Sequence, residues 1–326
     1  MHSARRFLLV FSLLSILLPG AAAVAQEFPS RLVRLVVPYP AGGGVDGLAR
    51  PLAERLGRMW NQSVIIENKP GASTMIGGET VARAPADGYT LVFTSDSSIT
   101  SNPHLFTKMP FDPLKDLVPV SQLIDLHQMV LVHPFVSAVS MPELVALAKQ
   151  KPNALNYGSY GIGSQPHLLF EMLRKETGAQ IQQISYRGIA PAITATLAGE
   201  VQMTLGGISV AAGHIEAGKL RPLAISRRER LKSHPDVPTL REAGFPNIDP
   251  RSWYGMFAPA GTPGPIVEKI RNDVAAVLND AEFKARFIDG LGYTGVGSAP
   301  ADFARFIQDD LDYKRNLITV TGITAE

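Results

Sequence analysis

Residues 32–60, LVRLVVPYPAGGGVDGLARPLAERLGRMW, carry the pattern that decides the fold. The apolar run at 32–37 is rich in β-branched side chains and stops at Pro38, after which glycines lead into a segment whose leucines recur at helical spacing. This order predicts a strand, a glycine loop and a helix. The first N–H groups of a helix have no partner within it and lie at the positive end of its dipole, so such a loop favours an anion.

Strands and helices alternate along the rest of the chain. Further strands are predicted at 64–67, 90–94, 129–132, 155–157, 181–185, 201–205, 223–225 and 253–257. Further helices are predicted at 76–83, 141–149, 165–177, 189–198, 265–279, 281–291 and 301–320. The alternation predicts an α/β protein with mostly parallel sheets flanked by helices. A length of 326 residues suggests two domains.

The composition excludes several classes of protein. The chain is 45% hydrophobic and 18% charged with a net charge of +2, which allows a folded core and gives no electrostatic basis for binding nucleic acid. The absence of cysteine excludes disulfides, thiol nucleophiles, iron–sulfur clusters and Cys-ligated zinc. The seven histidines lack the short spacing that zinc sites favour, so we expect neither a metal nor a cofactor.

The first 25 residues are typical of a secretory signal. Arg5 and Arg6 precede an apolar run at 7–18, and an A-x-A site stands at 23–25. The run is shorter than the roughly 20 residues that a membrane-spanning helix needs, which disfavours a transmembrane anchor. We therefore expect a cleaved signal over residues 1–25 and export from the cytoplasm. The paired arginines leave ordinary secretion and twin-Arg export both open.

A second glycine loop, GSYGIGS at 158–164, stands between a predicted strand and a predicted helix in the other half of the chain. Ligands of α/β proteins bind at the carboxyl ends of parallel strands, and both loops occupy such ends. If the halves face each other across a cleft, both loops could hold one small carboxylate, with hydroxyl groups of Ser159, Ser164 and Thr94 or Ser95 as further donors. Each loop could also be a tight turn without a ligand.

The first loop also fits a dinucleotide-binding pattern. Gly42, Gly44 and Gly47 satisfy G-x-G-x-x-G, and Glu67 closes the next strand, where an acid would bind a ribose. A secreted dinucleotide-dependent oxidoreductase is therefore an alternative. The export signal, the prolines before the loop and the lack of an evident acid–base pair weigh against it. A scaffolding or adhesive secreted protein is a third class.

Six motifs stand in order along the chain: VVPYPAGGGVD at 36–46, ENKPGA at 67–72, ADGYTL at 86–91, NYGS at 156–159, YRGIAPA at 186–192 and PDVPTLREAG at 235–244. Together they resemble the Bug family of periplasmic solute receptors, which serve tripartite tricarboxylate transporters. The resemblance runs from about residue 29 to residue 322.

The resemblance implies a non-catalytic receptor with a type II-like, Venus-flytrap periplasmic binding protein fold. Domain 1 would comprise residues 26–125 and 250–326, and domain 2 residues 126–249, with the ligand cleft between them. The receptor would capture a small carboxylate in the periplasm for uptake or sensing. Its partners would be that carboxylate and the membrane subunits of the transporter, and we expect a monomer.

Carried over residue by residue, the resemblance implies two pincers, at 39–44 and 157–164, and a second-domain wall around Gly188 and 206–209. With the hydroxyl donors added, the predicted ligand contacts are Tyr39, Ala41, Gly42, Gly43, Gly44, Thr94, Ser95, Tyr157, Gly158, Ser159, Gly161, Gly163, Ser164, His167, Gly188, Gly206, Gly207 and Ser209.

Three further positions bear on the site. Many Bug relatives carry Asp where Gly206 stands, and an acid there could pair with an amino-acid ammonium, so the glycine predicts a dicarboxylate or aromatic carboxylate instead. Asp46 is expected to be a structural cap or first-turn acid of the helix rather than a ligand. Tyr254 is expected to pack in the core or hinge, with a wall of the ligand site as the alternative.

Overall fold

The computed structural model describes residues 28–325, so the secretory signal predicted over 1–25 lies outside the described part. The first seven elements are β1 (Val33–Val37), α1 (Gly44–Trp60), β2 (Val64–Asn68), α2 (Met75–Ala82), β3 (Thr90–Ser95), α3 (Asn102–Leu105) and β4 (Leu117–Asp125). A 3-10 turn (Ala72–Thr74) precedes α2, and a π turn (Ser97–Ser101) precedes α3.

A second group of elements follows one crossing of the chain. It contains β5 (Met129–Val132), α4 (Met141–Gln150), β6 (Asn156–Ser159), α5 (Gln165–Thr177), β7 (Gln182–Ser185), α6 (Ile189–Leu197), β8 (Met203–Gly206), α7 (Ile208–Glu216) and β9 (Arg221–Ile225). The chain then returns and ends with β10 (Trp253–Pro259), α8 (Gly264–Asn279), α9 (Ala281–Phe283), β11 (Thr294–Gly295) and α10 (Pro300–Thr321).

The two sheets have the same arrangement of strands. The first has the order β11-β4-β10-β3-β1-β2, and the second has the order β7-β6-β8-β5-β9. In the first sheet β10 runs antiparallel to β3 and β4, and in the second β5 runs antiparallel to β8 and β9. Each of these strands is the first one after a crossing between the sheets. The predicted α/β fold with two mostly parallel sheets is confirmed.

Helices cover both faces of the sheets, which explains the unbroken apolar runs in the strands. In β1, Leu35 packs in the cluster that contains α1 and α8, whereas Val36 packs on the other face with Trp253 and Phe303. The leucines of α1 that recur at helical spacing are almost fully buried. Each such side chain contributes about 1.5–3 kcal/mol of burial free energy.

Some elements differ from the sequence-based prediction. The helix predicted at 281–291 is instead the short helix α9, followed by a π turn (Lys284–Ile288) and a 3-10 turn (Asp289–Leu291). Strand β4 was not predicted, because Pro119, Ser121 and Gln122 interrupt its apolar pattern. Its polar groups are satisfied by bonds from the Ser121 hydroxyl and the Gln122 N–H to Ser298.

The two sheets are joined by the segments 126–128 and 226–252 and by the end of α10. His127 Nδ1 lies 3.1 Å from the Ser226 carbonyl, which ties the two segments together. The end of α10 packs Leu317 and Ile318 against Leu168 of α5 in the second group. The predicted domain boundaries at 125/126 and 249/250 stay a prediction. Within residues 28–325, no helix combines the length and apolar character that crossing a bilayer requires.

The last residue of β4 gives a test of this hinge region by pH. Burial, together with the nearby charge of Asp249, raises the pKa of Asp125 to about 6. Between pH 4 and pH 6 the Asp125 carboxyl is therefore protonated in the folded state and ionised in the unfolded chain, where its pKa is about 4. The free energy of unfolding falls as the pH rises through this range. We expect Asp125→Asn to stabilise the protein by about 3 kcal/mol at pH 7 and to have little effect at pH 4.

Urea unfolding of wild type and Asp125→Asn between pH 4 and pH 8 measures this difference. Burial lowers the pKa of His127 and of His167 to about 4, but both histidines titrate in the variant as well, so their contributions cancel. Asp249→Asn removes the neighbouring negative charge and should shrink the pH dependence. Parallel stability curves for wild type and Asp125→Asn would contradict the prediction.

Candidate ligand-binding site

Asp46 fixes the conformation of the first glycine loop. Its Oδ2 accepts bonds from the Gly42 N–H and from Arg50 Nε, both at 2.8 Å, and its Oδ1 accepts a bond of 2.9 Å from Asn68 Nδ2. Burial acts to raise the pKa of Asp46, but the bonds from Arg50, Gly42 and Asn68 outweigh it and hold the pKa below its usual value. Asp46 is thus the structural first-turn acid that the sequence predicts.

The bond from the Gly42 N–H to Asp46 reduces the number of backbone donors that the first loop has for a ligand. The Gly42 N–H is taken by Asp46, which leaves Gly43 and Gly44 as donors at the start of α1. Within residues 28–325, neither of these two N–H groups donates a hydrogen bond. Gly42 has a φ of 81°, a left-handed conformation that favours glycine and turns the loop into the helix.

A tyrosine hydroxyl faces this loop. A Cβ atom added to Gly44 would lie 2.7 Å from Tyr254 Oη and 3.9 Å from Tyr293 Oη. In the described part of the chain, Tyr254 Oη has no recorded hydrogen-bond partner, while Tyr293 Oη donates to Ser209 Oγ in the second half at 3.4 Å. Burial raises the pKa of Tyr254 well above its usual value, so the group is a neutral donor at physiological pH.

The two loops converge around Tyr254. Besides burial, its raised pKa reflects the proximity of Tyr293, of Tyr160 in the second loop and of Tyr39 in the first. Tyr39 Oη bonds Ser95 Oγ at 2.7 Å, and Tyr160 Oη bonds the Gln128 side chain at 3.0–3.2 Å. Tyr160 lies within the predicted second pincer but was not itself among the predicted contacts, and Tyr293 was missed, because only the folded chain brings both near Tyr254.

The hydroxyl groups predicted beside the first loop are mostly engaged. Thr94 is buried and its Oγ1 lies 2.5 Å from Ser98 Oγ, which donates in turn to Thr74 Oγ1 at 2.7 Å. Thr74 has a φ of 78°, a strained value for a β-branched residue. Asn102 Nδ2 holds this turn through a 2.7 Å bond to the Ser73 carbonyl.

The second loop is stabilised internally in a similar way. Ser159 Oγ accepts a bond of 2.7 Å from Gln183 Nε2, and Ser164 Oγ donates to the Gly161 carbonyl at 2.6 Å. The Gly163 N–H donates to His167 Nδ1 at 3.2 Å, so that ring nitrogen is unprotonated. Burial lowers the pKa of His167 to about 4, and the neutral ring serves to orient the loop.

Three predicted contacts do not face the space between the loops. Tyr157 is fully buried and its ring stacks on Phe170 with centroids 4.3 Å apart. Gly158 packs against α6, where an added Cβ would lie 3.3 Å from Ala192 Cβ. Both positions belong to β6 itself rather than to the loop beyond its end, and helices cover them. The Tyr157 ring and the Cβ direction of Gly158 are therefore turned into the packed interior, and a ligand contact at these two positions stays a prediction.

Gly206 is the third of these positions. A Cβ added there would lie 2.9 Å from Leu131 Cδ1 and 3.1 Å from Ile193 Cδ1, inside the apolar core of the second half. A side chain at 206 would therefore point into that core, so the described geometry does not support a role for this position in selecting the ligand class, which stays a prediction. The adjacent Gly207 is more open, with its nearest neighbours, the His127 carbonyl and Ser209 Oγ, at 3.6 Å.

The remaining predicted positions lie at helix starts or on loop surfaces. Gly188 precedes α6 with a φ of 152°, and Ala41 is exposed beside Gly42. Gly161 has a φ of 123°, with open space where a side chain would stand. Within residues 28–325, no group of three or more His, Cys, Asp or Glu side chains is placed to hold a metal ion.

The chain is similar to known proteins in sequence and in fold. The family model "Tripartite tricarboxylate transporter family receptor" matches residues 48–323. Protein BugT of Bordetella pertussis is 33% identical over 304 residues, which is 93% of each chain. The solved structure "R. palustris Rpa4515 with adipate" has a TM-score of 0.88 and 32% identity, covering 92% of this chain and 100% of that one. MatC from Rhodopseudomonas palustris with bound malate has a TM-score of 0.83 and 30% identity, covering 89% and 100%.

Proposed function

Since the chain belongs to the tripartite tricarboxylate transporter receptor family, we propose that it captures a small dicarboxylate between its two halves. Membership confirms the resemblance to Bug proteins and the two-domain periplasmic binding protein fold. The family consists of solute-binding receptors. The dicarboxylate, the residues that hold it and the membrane subunits that would receive it are the proposed part.

One observation carries the proposal: two N–H groups of the first loop that have no acceptor within residues 28–325 lie close to the neutral Tyr254 hydroxyl, and the neighbouring Tyr293 bonds Ser209 of the second half. The N–H groups of Gly43 and Gly44 begin the 17-residue helix α1, and Tyr254 Oη lies in front of Gly44. Tyr160 from the second loop stands beside Tyr254. Helix starts and neutral hydroxyl donors stabilise a carboxylate and bring no competing negative charge.

The surroundings favour a ligand without an amine. The four tyrosines at this space are neutral, and the two acids nearest to the loops are already bonded, Asp46 to Arg50 and Asp96 to Lys314. An ammonium would need a carboxylate or several acceptors to replace its hydration. The two solved relatives are described with adipate and with malate, neither of which has an amine. These points support a dicarboxylate over aspartate or glutamate.

The acid that a dinucleotide-dependent enzyme would need for ribose binding is already engaged in other contacts. Glu67, which would bind a ribose, accepts bonds from Arg34 at 2.5 and 3.1 Å and lies 3.3 Å from Lys69. These contacts hold the pKa of Glu67 below its usual value and occupy the carboxylate.

A carboxylate ligand that touches both halves would favour the closed arrangement through contacts that the open arrangement lacks.

A thermal-shift screen tests the proposal. Residues 26–326 are mixed with adipate, malate, succinate, aspartate, glutamate or NAD. We expect one or more of the dicarboxylates to raise the Tm, because a ligand at 100 times its Kd stabilises the native state by about 2.7 kcal/mol. Calorimetry then gives the stoichiometry, expected to be one per chain. Stabilisation by an amino acid alone, or by NAD alone, would refute the proposed ligand class.

A further inference from the structure

A buried ion pair lies behind the two loops. Asp96, directly after β3, and Lys314 of α10 are both fully buried, with 3.1 Å between Lys314 Nζ and Asp96 Oδ2. Lys314 Nζ also donates to the carbonyls of Pro250 and Arg251, at 2.6 and 2.7 Å, so all three of its protons are used. The pair therefore joins the end of β3, the second crossing segment and α10.

Gln165 connects the second loop to this ion pair. It is the first residue of α5, is 3% exposed, and its Nε2 donates to Asp96 Oδ2 at 3.0 Å and to the Arg251 carbonyl at 2.7 Å. The Gln165 amide thus donates both of its hydrogen bonds to acceptors outside the second group of elements. Arg251 has a φ of 37°, a left-handed value that the bonds to its carbonyl hold in place.

A continuous path runs from one candidate loop to the other through these residues. Tyr39 of the first loop bonds Ser95, and Ser95 is covalently followed by Asp96. Asp96 accepts the bond from Gln165, which directly follows Ser164, and the Ser164 hydroxyl bonds the Gly161 carbonyl of the second loop. Each step is either a covalent bond or a buried or half-buried hydrogen bond.

We propose that Gln165 is a positioning residue that fixes the second ligand loop relative to the first by its bonds to Asp96 and to the Arg251 carbonyl. The inference rests on the proposed function, because the two loops are the proposed ligand contacts. Gln165 does not itself touch the ligand. In the described arrangement its bonds set the separation and orientation of the two sets of donors, so losing them should populate arrangements in which a ligand cannot reach both.

The test measures the two halves directly and then measures ligand binding. The chain has no cysteine, so Arg58→Cys in α1 and Lys149→Cys in α4 accept spin labels at two unique exposed positions. Interlabel distances are recorded without ligand for the otherwise wild-type chain, for Gln165→Leu and for Gln165→Glu at pH 8. We expect both variants to remain folded and to show broader distance distributions than the parent.

The Gln165→Leu variant separates positioning from space filling. It keeps much of the side-chain volume and removes both donors, so it should broaden the distribution if Gln165 positions the loops and should match the parent if Gln165 only fills space. Gln165→Glu keeps the shape but places a carboxylate 3.0 Å from Asp96 Oδ2, so charge repulsion predicts a still broader distribution. Gln180→Leu is the matched control, because the Gln180 side chain bonds only Gly178 within the same half. We expect it to match the parent.

Affinity gives the second readout, with adipate and malate as probes. We expect Gln165→Leu to weaken the binding of whichever probe binds the parent by about 10-fold, mainly through faster dissociation. Unchanged distances together with unchanged affinity would overturn the role of Gln165. If neither probe binds the parent, the proposed ligand class fails, and the ligand-free distances alone still decide whether Gln165 fixes the two halves.

Discussion

Lys314→Met should lower the free energy of unfolding by about 3–5 kcal/mol, the usual cost of removing one partner of a buried ion pair. The substitution leaves Asp96 as a buried carboxylate without its cation and leaves the carbonyls of Pro250 and Arg251 without their donor. A loss of this size should lower the Tm by about 6–15 °C, which differential scanning calorimetry resolves.

A double-mutant cycle identifies the origin of the loss. Asp96→Asn removes the buried negative charge, so the double variant Asp96→Asn with Lys314→Met should be more stable than the sum of the single losses predicts. Lys115→Met is the matched control, because the Lys115 side chain is 83% exposed and pairs with Asp112, which is 41% exposed. We expect almost no loss of stability for it. A loss equally small for Lys314→Met would show that the buried pair does not stabilise the fold.

Gly44→Val should abolish the thermal response to the dicarboxylate that binds the wild-type protein. An added Cβ at position 44 would lie only 2.7 Å from Tyr254 Oη, so a valine there would force the Tyr254 hydroxyl away from the start of α1. It would displace a carboxylate from the N–H groups at the start of α1. We expect at least a 100-fold loss of affinity by calorimetry, about 2.7 kcal/mol.

Two further variants keep this result interpretable. Gly44→Val combined with Tyr254→Phe removes the clashing hydroxyl, so it should recover stability without recovering binding. Gly47→Ala places a methyl group on the exposed side of the same helix, where nothing lies within 4 Å, and should bind like wild type. Its stability should rise by about 0.5–1 kcal/mol. Tight binding by a folded Gly44→Val protein would exclude the space in front of Tyr254 as the ligand site.

The fold could be predicted well because its information is local. Apolar runs bounded by glycine and proline place β1, α1, β5 and α5 within a few residues of where the structure has them. The predictions failed where the local pattern was weak. Helix α7 follows Gly207 and begins with Ile208, Ser209 and Val210, none of which is a strong helix former. Strand β4 contains a proline and two polar residues. Both elements are therefore stabilised by the residues that pack against them more than by their own sequence.

The site was predicted only in outline. The glycine loops followed from positions between a strand and a helix, and Asp46 was correctly expected to be structural. Position in the chain does not give the direction of a side chain, however, and Tyr157 and Gly206 face the core. Tyr293 was not predicted, and the ligand site was only the alternative for Tyr254, because β10 and the turn before β11 reach Gly44 only through the long return of the chain.

The sequence by itself therefore determined the alternation of strands and helices, the two anion-favouring loops and, through its ordered motifs, the family. These depend on contacts between residues that are close in the chain. Only the tertiary structure decided which donors remain available and how the loops are joined. The Gly42 N–H is used by Asp46, and Asp96 meets Gln165 and Lys314 across separations of 69 and 218 residues. Charges that distant in the chain can share one buried site only after both sheets have formed and excluded water from it.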